Sequence, residues 1–431
     1  MKKKITLLLF VLYTVVVQAD NFVNKVIILN EGHYDYVNQV QTVPVTVGSY
    51  DPVTRLYTSF DTIYNARFGS HVIVDGSNIF VAADNQLVRY DADSHQRLAT
   101  ATLAGVRKIA VWNNQLLISR GEYGIDYASY FVVYDKNNLS FLYDLPVASG
   151  GPQYASEGIV INNDTAYLAI NNGFNWGNEV GIVGRIDLAN QSYINEIDLG
   201  AGATNPENLI LDGGSVYTFN NTNYSTSSIT KIDIGSQTTT TNNLNTTSGC
   251  GATGFASGNI LFEVSGDTRI RRFNTSSFIV LDTLQMNRSI YGMATDEINN
   301  LIYVGETDYT TNGRIFILDF TGATVDSFDV SVSPGNIALD IRSATGINEP
   351  SVSGKIFCYP NPAADHLNVF ISGKNNSTKE TFVLTDITGR EAQRITSDQQ
   401  SFLIDIQSLD AGIYTLRSLT NANMKTKIVK Q

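Results

Sequence analysis

The chain has 431 residues, a formal net charge of -12 and a pI near 4.8, a balance that repels phosphate backbones and excludes nucleic acid as an expected partner. Its two cysteines, Cys250 and Cys358, are too few for a disulfide-framed fold. Stability has to come from packing, and the length suffices for a large core or more than one.

The first element in chain order is a leader. Lys2, Lys3 and Lys4 precede an uncharged apolar run from Ile5 to Val17, and Val17-Gln18-Ala19 precedes Asp20, the pattern of a cleavable secretory signal over residues 1–19. The run is shorter than the roughly 20 residues of a spanning helix, and no cysteine stands at the cleavage site to carry a lipid. No later segment is long and apolar enough to span a bilayer. The expected product is exported through the periplasm to the cell surface or the medium, with no transmembrane segment once the signal is removed.

From "KVIILNEG" onward the chain reads as short strands rich in Val, Ile, Thr, Tyr and Phe, punctuated by Gly, Asn, Asp and Ser, which predicts an all-β protein. A strand ending in an apolar residue plus Asp or Asn recurs at Asp51, Asp91, Asp135, Asp187, Asp233, Asn274 and Asp319. Each is preceded by another apolar strand, from "VIILNEG" and "NIFVAAD" to "NLIYVGE". A repeat of about 40 to 45 residues carrying four short strands is the signature of a propeller blade, which cannot bury both faces until its neighbours stack on it. Seven repeats predict a seven-bladed β-propeller over residues 20–342. A third recurring strand, the innermost, precedes the others in six repeats. Its seventh copy, "SPGNIALDIR", comes last with nothing behind it, while "KVIILNEG" has nothing in front, so chain end and chain start are expected to pair and close the ring.

"SATGINEPSVSGK" then reads as a linker over 343–354. Residues 355–431 hold five legible strands, "HLNVFIS", "ETFVLTD", "FLIDIQ", "GIYTLRS" and "KTKIVKQ", enough for a small immunoglobulin-like β-sandwich. The segments "YPNPAADHLNV", "LTDITGRE", "IDIQSLDAGIYTLR" and "KTKIVKQ" resemble, in order, the type A C-terminal sorting domain of the type IX secretion system of Bacteroidota. The resemblance implies the secretion machinery as a partner, and an export-signal role for Tyr359, Pro360, Asn361, Pro362, Gly389, Gly412, Tyr414 and Lys427.

In a propeller, the loops from the outer strand to the next blade and those between second and third strands open on one face, where ligands usually bind. On these loops lie His33, Tyr34, Tyr64, Arg67, Arg107, Tyr123, Tyr154, Glu157, Trp176, Glu207, Arg288, Tyr291 and Tyr309, the candidate ligand-binding rim. Rings and guanidinium groups suit a planar or sugar-like ligand through stacking and cation–π contacts. The four histidines are scattered singly, so no metal site and no nucleophile–base pair is expected. Cys250 in "SGCGATG" reads as a small buried residue. Glu157 and Glu207 occupy matching places in "SEGIVI" and "NPENLIL" and form the one carboxylate pair that a hydrolase or lyase would use.

"ILNEG", "SEGIVI", "NPENLIL" and the last repeat, from "IYGMATDEINN" to "SPGNIAL", resemble the YncE-like seven-bladed propellers of Bacteroidota. Within that family a BtuG-like surface group captures cobalamin and passes it to an outer-membrane transporter. The resemblance implies a surface protein binding a corrinoid-like, other ring-bearing or glycan ligand, with an outer-membrane transporter as a further partner. Those relatives are lipoproteins, whereas this chain has no lipid-anchoring cysteine. An adhesion or protein-interaction module is the alternative reading.

Overall fold

The structure is a computed structural model that describes residues 21–222, 226–246, 252–263, 268–286, 289–343, 356–371, 379–420 and 424–431. The expected signal peptide, most of the expected linker, Cys250 and Arg288 lie outside these residues. Contacts divide the chain into a unit spanning Val23–Ile341 and a second unit that holds the C-terminal segment.

The first unit is a seven-bladed propeller of four-stranded sheets. Six blades take their strands in chain order, beginning with Gly69–Asp75, Val106–Trp112, Ser156–Asn162, Pro206–Asp212, Thr253–Ala256 and Ile290–Asp296; these are blades 2 to 7. Blade 1 is composite, with the order Pro334–Ser343, Asn21–Asn30, Val45–Asp51, Leu56–Ile63. Glu31 N donates to Ser333 O at one end of the closure, and Asn24 Nδ2 donates 2.7 Å to Asp340 Oδ2 further along. The two chain segments therefore run antiparallel, and the closure expected from the sequence is present. It leaves no open sheet edge at the junction.

Packing follows the ring. Seven buried clusters each join two successive blades. The strand Asn21–Asn30 gives Ile27 and Leu29 to the cluster with blade 2, and Val26 and Ile28 to the cluster with blade 7. Side chains alternate across a strand, so a strand apolar on both faces is held from both sides, each fully buried aliphatic side chain contributing about 1.5–3 kcal/mol.

The recurring Asp marks a turn, not only a strand end. Asp51 Oδ1 accepts from Val53 N (2.7 Å) and Thr54 N (3.1 Å), and Arg55, at φ 60°, returns its N–H to Asp51 O. The same arrangement recurs at Asp91 with His95, Asp135 with Leu139, Asp233 with Gln237 and Asn274 with Phe278. A short side-chain acceptor that caps the turn is why Asp or Asn stands there in every repeat.

The C-terminal unit stacks a three-stranded sheet (Ile356–Tyr359, His366–Ile371, Ser401–Asp405) on a four-stranded one (Glu391–Ser397, Glu380–Asp386, Gly412–Ser418, Lys425–Lys430). Leu367, Val369 and Ile404 of the first meet Phe382, Leu384 and Leu416 of the second in one core. Two of its seven strands, Ile356–Tyr359 and Glu391–Ser397, were not legible as strands. Cys358 is buried in this core.

The sorting motifs interlock here. Asn361 Nδ2 donates 2.8 Å to Lys427 O and its Oδ1 accepts 2.8 Å from Val429 N, so the amide copies a strand's hydrogen-bonding and ties the Tyr359–Pro362 loop to the terminal strand. Tyr414 OH donates 2.9 Å to Asp410 O. Gly389 takes φ 84° in the turn that Asp386 caps.

Candidate ligand-binding face

The first strands of neighbouring blades pack against one another around the axis, and the start of five of them is irregular. Register shifts fall between Gly69 and His71, Val106 and Ile109, Ser156 and Ile159, Pro206 and Asn208, and Ile290 and Gly292. A bulge adds one residue and re-aims its side chain. The residues inside the irregularities are Ser70, Arg107 with Lys108, Glu157 with Gly158, Glu207 and Tyr291, all at the same end of the channel.

Blade 1 joins this ring differently. Its inner strand offers Gly335, and a Cβ there would stand 2.7 Å from Glu31 Oε1 and 2.6 Å from Tyr291 Cε1. The missing side chain lets Glu31 reach from the neighbouring strand, where it accepts 2.8 Å from Tyr291 OH.

Arg107 Nε donates 2.6 Å to Glu157 Oε1, and its guanidinium lies 5.8 Å from the Phe68 ring centre and 5.0 Å from that of Phe174. Glu207 accepts 3.3 Å from Asn221 Nδ2. Lys108 Nζ donates 3.2 Å to Ser70 O, and His71 Nδ1 accepts 3.1 Å from Ile109 N, which puts the ring proton of the neutral imidazole on Nε2.

Glu31 and Glu207 are surrounded by protein yet still reached by solvent, the condition of groups at the bottom of a recess. Desolvation pushes both up to about 7; Tyr291, Lys108 and Arg107 oppose it at Glu31, while at Glu207 Glu157 adds to it and Asn221 opposes. Desolvation lowers Lys108, against the pull of Glu157, and holds His71 well below its ordinary range, with Lys108 pushing the same way. Among the described residues no group of His, Cys, Asp and Glu could hold a metal ion.

A second network flanks the ring. Arg67 grips Asp84 through Nε (2.9 Å) and Nη2 (2.6 Å), and Nη2 also reaches Glu122 Oε1 at 2.6 Å. Glu122 Oε2 accepts 2.7 Å from Tyr127 OH. Arg67 lies on a blade-to-blade loop and Asp84 and Glu122 on loops between second and third strands, so both loop sets do open on one face.

The aromatic candidates stand outward on it. Tyr123 and Trp176, 67% and 70% exposed, meet with ring centres 5.5 Å apart. Tyr291 and Tyr309 meet edge-on at 5.2 Å, and His33 Nδ1 lies 2.8 Å from Tyr309 O. Residues His33–Asp35 and Val40–Val43 form a hairpin that had read as a loop; it carries Tyr34 edge-on to Tyr36 at 4.9 Å. Tyr64 and Tyr154 are exposed on blade-to-blade loops without a ring partner among the described residues.

Thus Arg107, Glu157, Glu207 and Tyr291 converge at the channel mouth, Tyr123 and Trp176 pair on the rim, and Tyr64 and Tyr154 stand apart. Sequence reasoning passed over Glu31, Lys108, Asp84, Glu122 and Asn221. The adjacent cations Arg107-Lys108 at an inner-strand start were a visible signal; nothing local marks the others. A separate cavity of about 210 Å³, lined by Met286, Ile290, Val304 and Phe316 among others, sits between blades 6 and 7 within their packing cluster.

The fold and this face define a β-propeller with a built polar channel mouth, joined to a β-sandwich tail. Residues 357–431 match the secretion system C-terminal sorting domain, which implies export by the type IX system to the cell surface or beyond, with its machinery as a partner. No curated protein matches the sequence. Among solved structures, Kuenenia stuttgartiensis hydrazine synthase is similar at 16% identity and TM-score 0.53, over 65% of this chain and 93% of that one. The extracellular domain of BT4673 from B. thetaiotaomicron is similar at 12% identity and TM-score 0.51, over 94% of this chain and 57% of that one. At such identities the likeness is one of fold. No helix among the described residues is long and apolar enough to cross a membrane.

Proposed function

We propose that this is an exported binding protein whose propeller holds a ligand at the channel mouth and on the aromatic rim around it. The observation that carries the reading is the bulged ring: five inner strands give up regular pairing at one end, and four of them bring Arg107, Lys108, Glu157, Glu207 and Tyr291 into a recess with Glu31. Desolvated, titratable groups gathered in a recess are costly to the fold and typical of binding sites. The candidate ligands are corrinoid-like, other ring-bearing or glycan molecules, consistent with the YncE-like resemblance and its BtuG-like members. Hand-over to an outer-membrane transporter belongs to that proposal. The rim residues His33, Tyr34, Tyr123, Trp176 and Tyr309 are its contact set, and Tyr64 and Tyr154, which stand apart, fall outside it.

Titration calorimetry of the full chain with cobalamin, haem and soluble glycans tests it. Saturable binding weakened by Trp176→Ala or Tyr309→Ala, by roughly 1–3 kcal/mol for a true anchor, supports the site; binding untouched by either change removes it. The adhesion or protein-interaction reading draws on the hairpin tip, where Tyr36 and Val37 are 65% and 91% exposed. It predicts retention on cells or matrix without small-ligand affinity.

A further inference from the structure

The ligand can be narrowed, on condition that this face is the binding site. We infer that it takes a neutral, hydroxyl-rich glycan, packed on the Tyr123–Trp176 ring pair and hydrogen-bonded to the ion-paired groups beside the channel mouth.

Charge is the first argument. Arg67 is neutralised by Asp84 and Glu122, and Arg107 by Glu157. An anionic ligand would have to compete with carboxylates already in place and approach a chain of charge -12, against its long-range field. A strongly cationic ligand would meet Arg107 and Lys108 in the recess. Arg67, Arg107 and Lys108 balance Asp84, Glu122 and Glu157 in formal charge, and these groups keep their hydrogen-bonding edges. Arg67 Nη1 takes no part in the bonds to Asp84 and Glu122, and among the described residues each of Glu31 and Glu207 accepts through one oxygen. Donors and acceptors at fixed positions in a mutually neutralised lattice match vicinal hydroxyls, each of which both donates and accepts.

Shape is the second. Tyr123 and Trp176 are mostly exposed and tilted 45° to each other. A sugar ring has an apolar C–H face and a polar edge, and amphipathic aromatic rings that present a bare face and a polar tip suit it. The exposed Tyr309 stands on blade 7, across the mouth from that pair, edge-on to Tyr291 at the recess.

The test uses the full chain, its Trp176→Ala and Tyr123→Ala variants, and affinity electrophoresis with calorimetry at low and high salt. The probes are soluble glucan, mannan and xylan with their short oligosaccharides, polygalacturonate and heparin as anionic polymers, and cobalamin as a charge-bearing ring compound. The expected result is binding of a neutral probe that changes less than about threefold with salt, there being no ion pair to screen, and falls tenfold or more in Trp176→Ala. Inhibition of the polymer by its oligosaccharide assigns the site to free oligosaccharide, and binding of the polymer alone assigns it to a polysaccharide chain; both support a glycan. Tryptophan-sensitive binding of only heparin, polygalacturonate or cobalamin overturns the glycan class and leaves the face standing. No probe bound in a Trp176-sensitive manner overturns both.

Discussion

Arg107 Nε stands 2.6 Å from Glu157 Oε1 across the junction of two neighbouring blades, and the carboxylate side chain is only 7% exposed. The pair joins two irregular strand starts, so it staples the ring at the place where regular pairing is lost. Removing one partner strands a charge in a desolvated site. Arg107→Ala is expected to destabilise by about 3–5 kcal/mol, while an apolar replacement of both residues costs far less. Urea unfolding of the single and double variants measures the difference; equal losses in both would refute the stapling role.

Stability should depend on pH through Glu31 and Glu207. Their folded values of about 7 lie above the ordinary 4.5, so the folded state binds these protons more tightly than the unfolded chain. Their contribution is fully present below pH 4.5 and is lost as pH rises through 7. Glu207→Gln removes the cost of ionising one of them. The variant should melt higher than the parent at pH 8 and close to it at pH 5, as followed by circular dichroism.

Closure rests on one strand packed from both sides. Ile28 is fully buried with Tyr303 and Ile315 of blade 7, and Ile28→Ala should cost about 2–5 kcal/mol. Ile298, 39% exposed on the same blade, is the control, and its replacement by Ala should cost under about 0.5 kcal/mol. Matched denaturant curves decide it.

In the sorting tail, Asn361 ties the loop to the last strand through two exposed hydrogen bonds. Asn361→Ala should speed amide exchange at Val429, with a loss of about 1 kcal/mol or less given the exposure. Asn361→Asp keeps the acceptor for Val429 N and should protect that amide better than Ala does. Export assayed in parallel reports whether the tied geometry is what the secretion machinery reads.

The repeat was legible because its signals are local. An Asp or Asn capping a turn and an apolar strand of period two are decided within about ten residues, so seven blades, the ring closure and the sandwich tail could be counted from spacing alone. Strands without that alternation, such as Glu391–Ser397, and the hairpin at His33 carried no such signal. The face was half legible: loop position placed Arg107, Glu157, Glu207 and Tyr291 on one side. What each does there was a tertiary decision. A bulge is a mismatch between two strands, so neither strand shows it alone. Glu31 reaches the channel because Gly335, three hundred residues away in sequence, leaves the space, and Arg67 owes its partners to two different blades. The sequence by itself determined the number of blades and the order of domains, because turn chemistry and strand periodicity are short-range. Only the closed ring decided which charges meet and lose their water, because desolvation and ion pairing depend on neighbours that the chain brings together last.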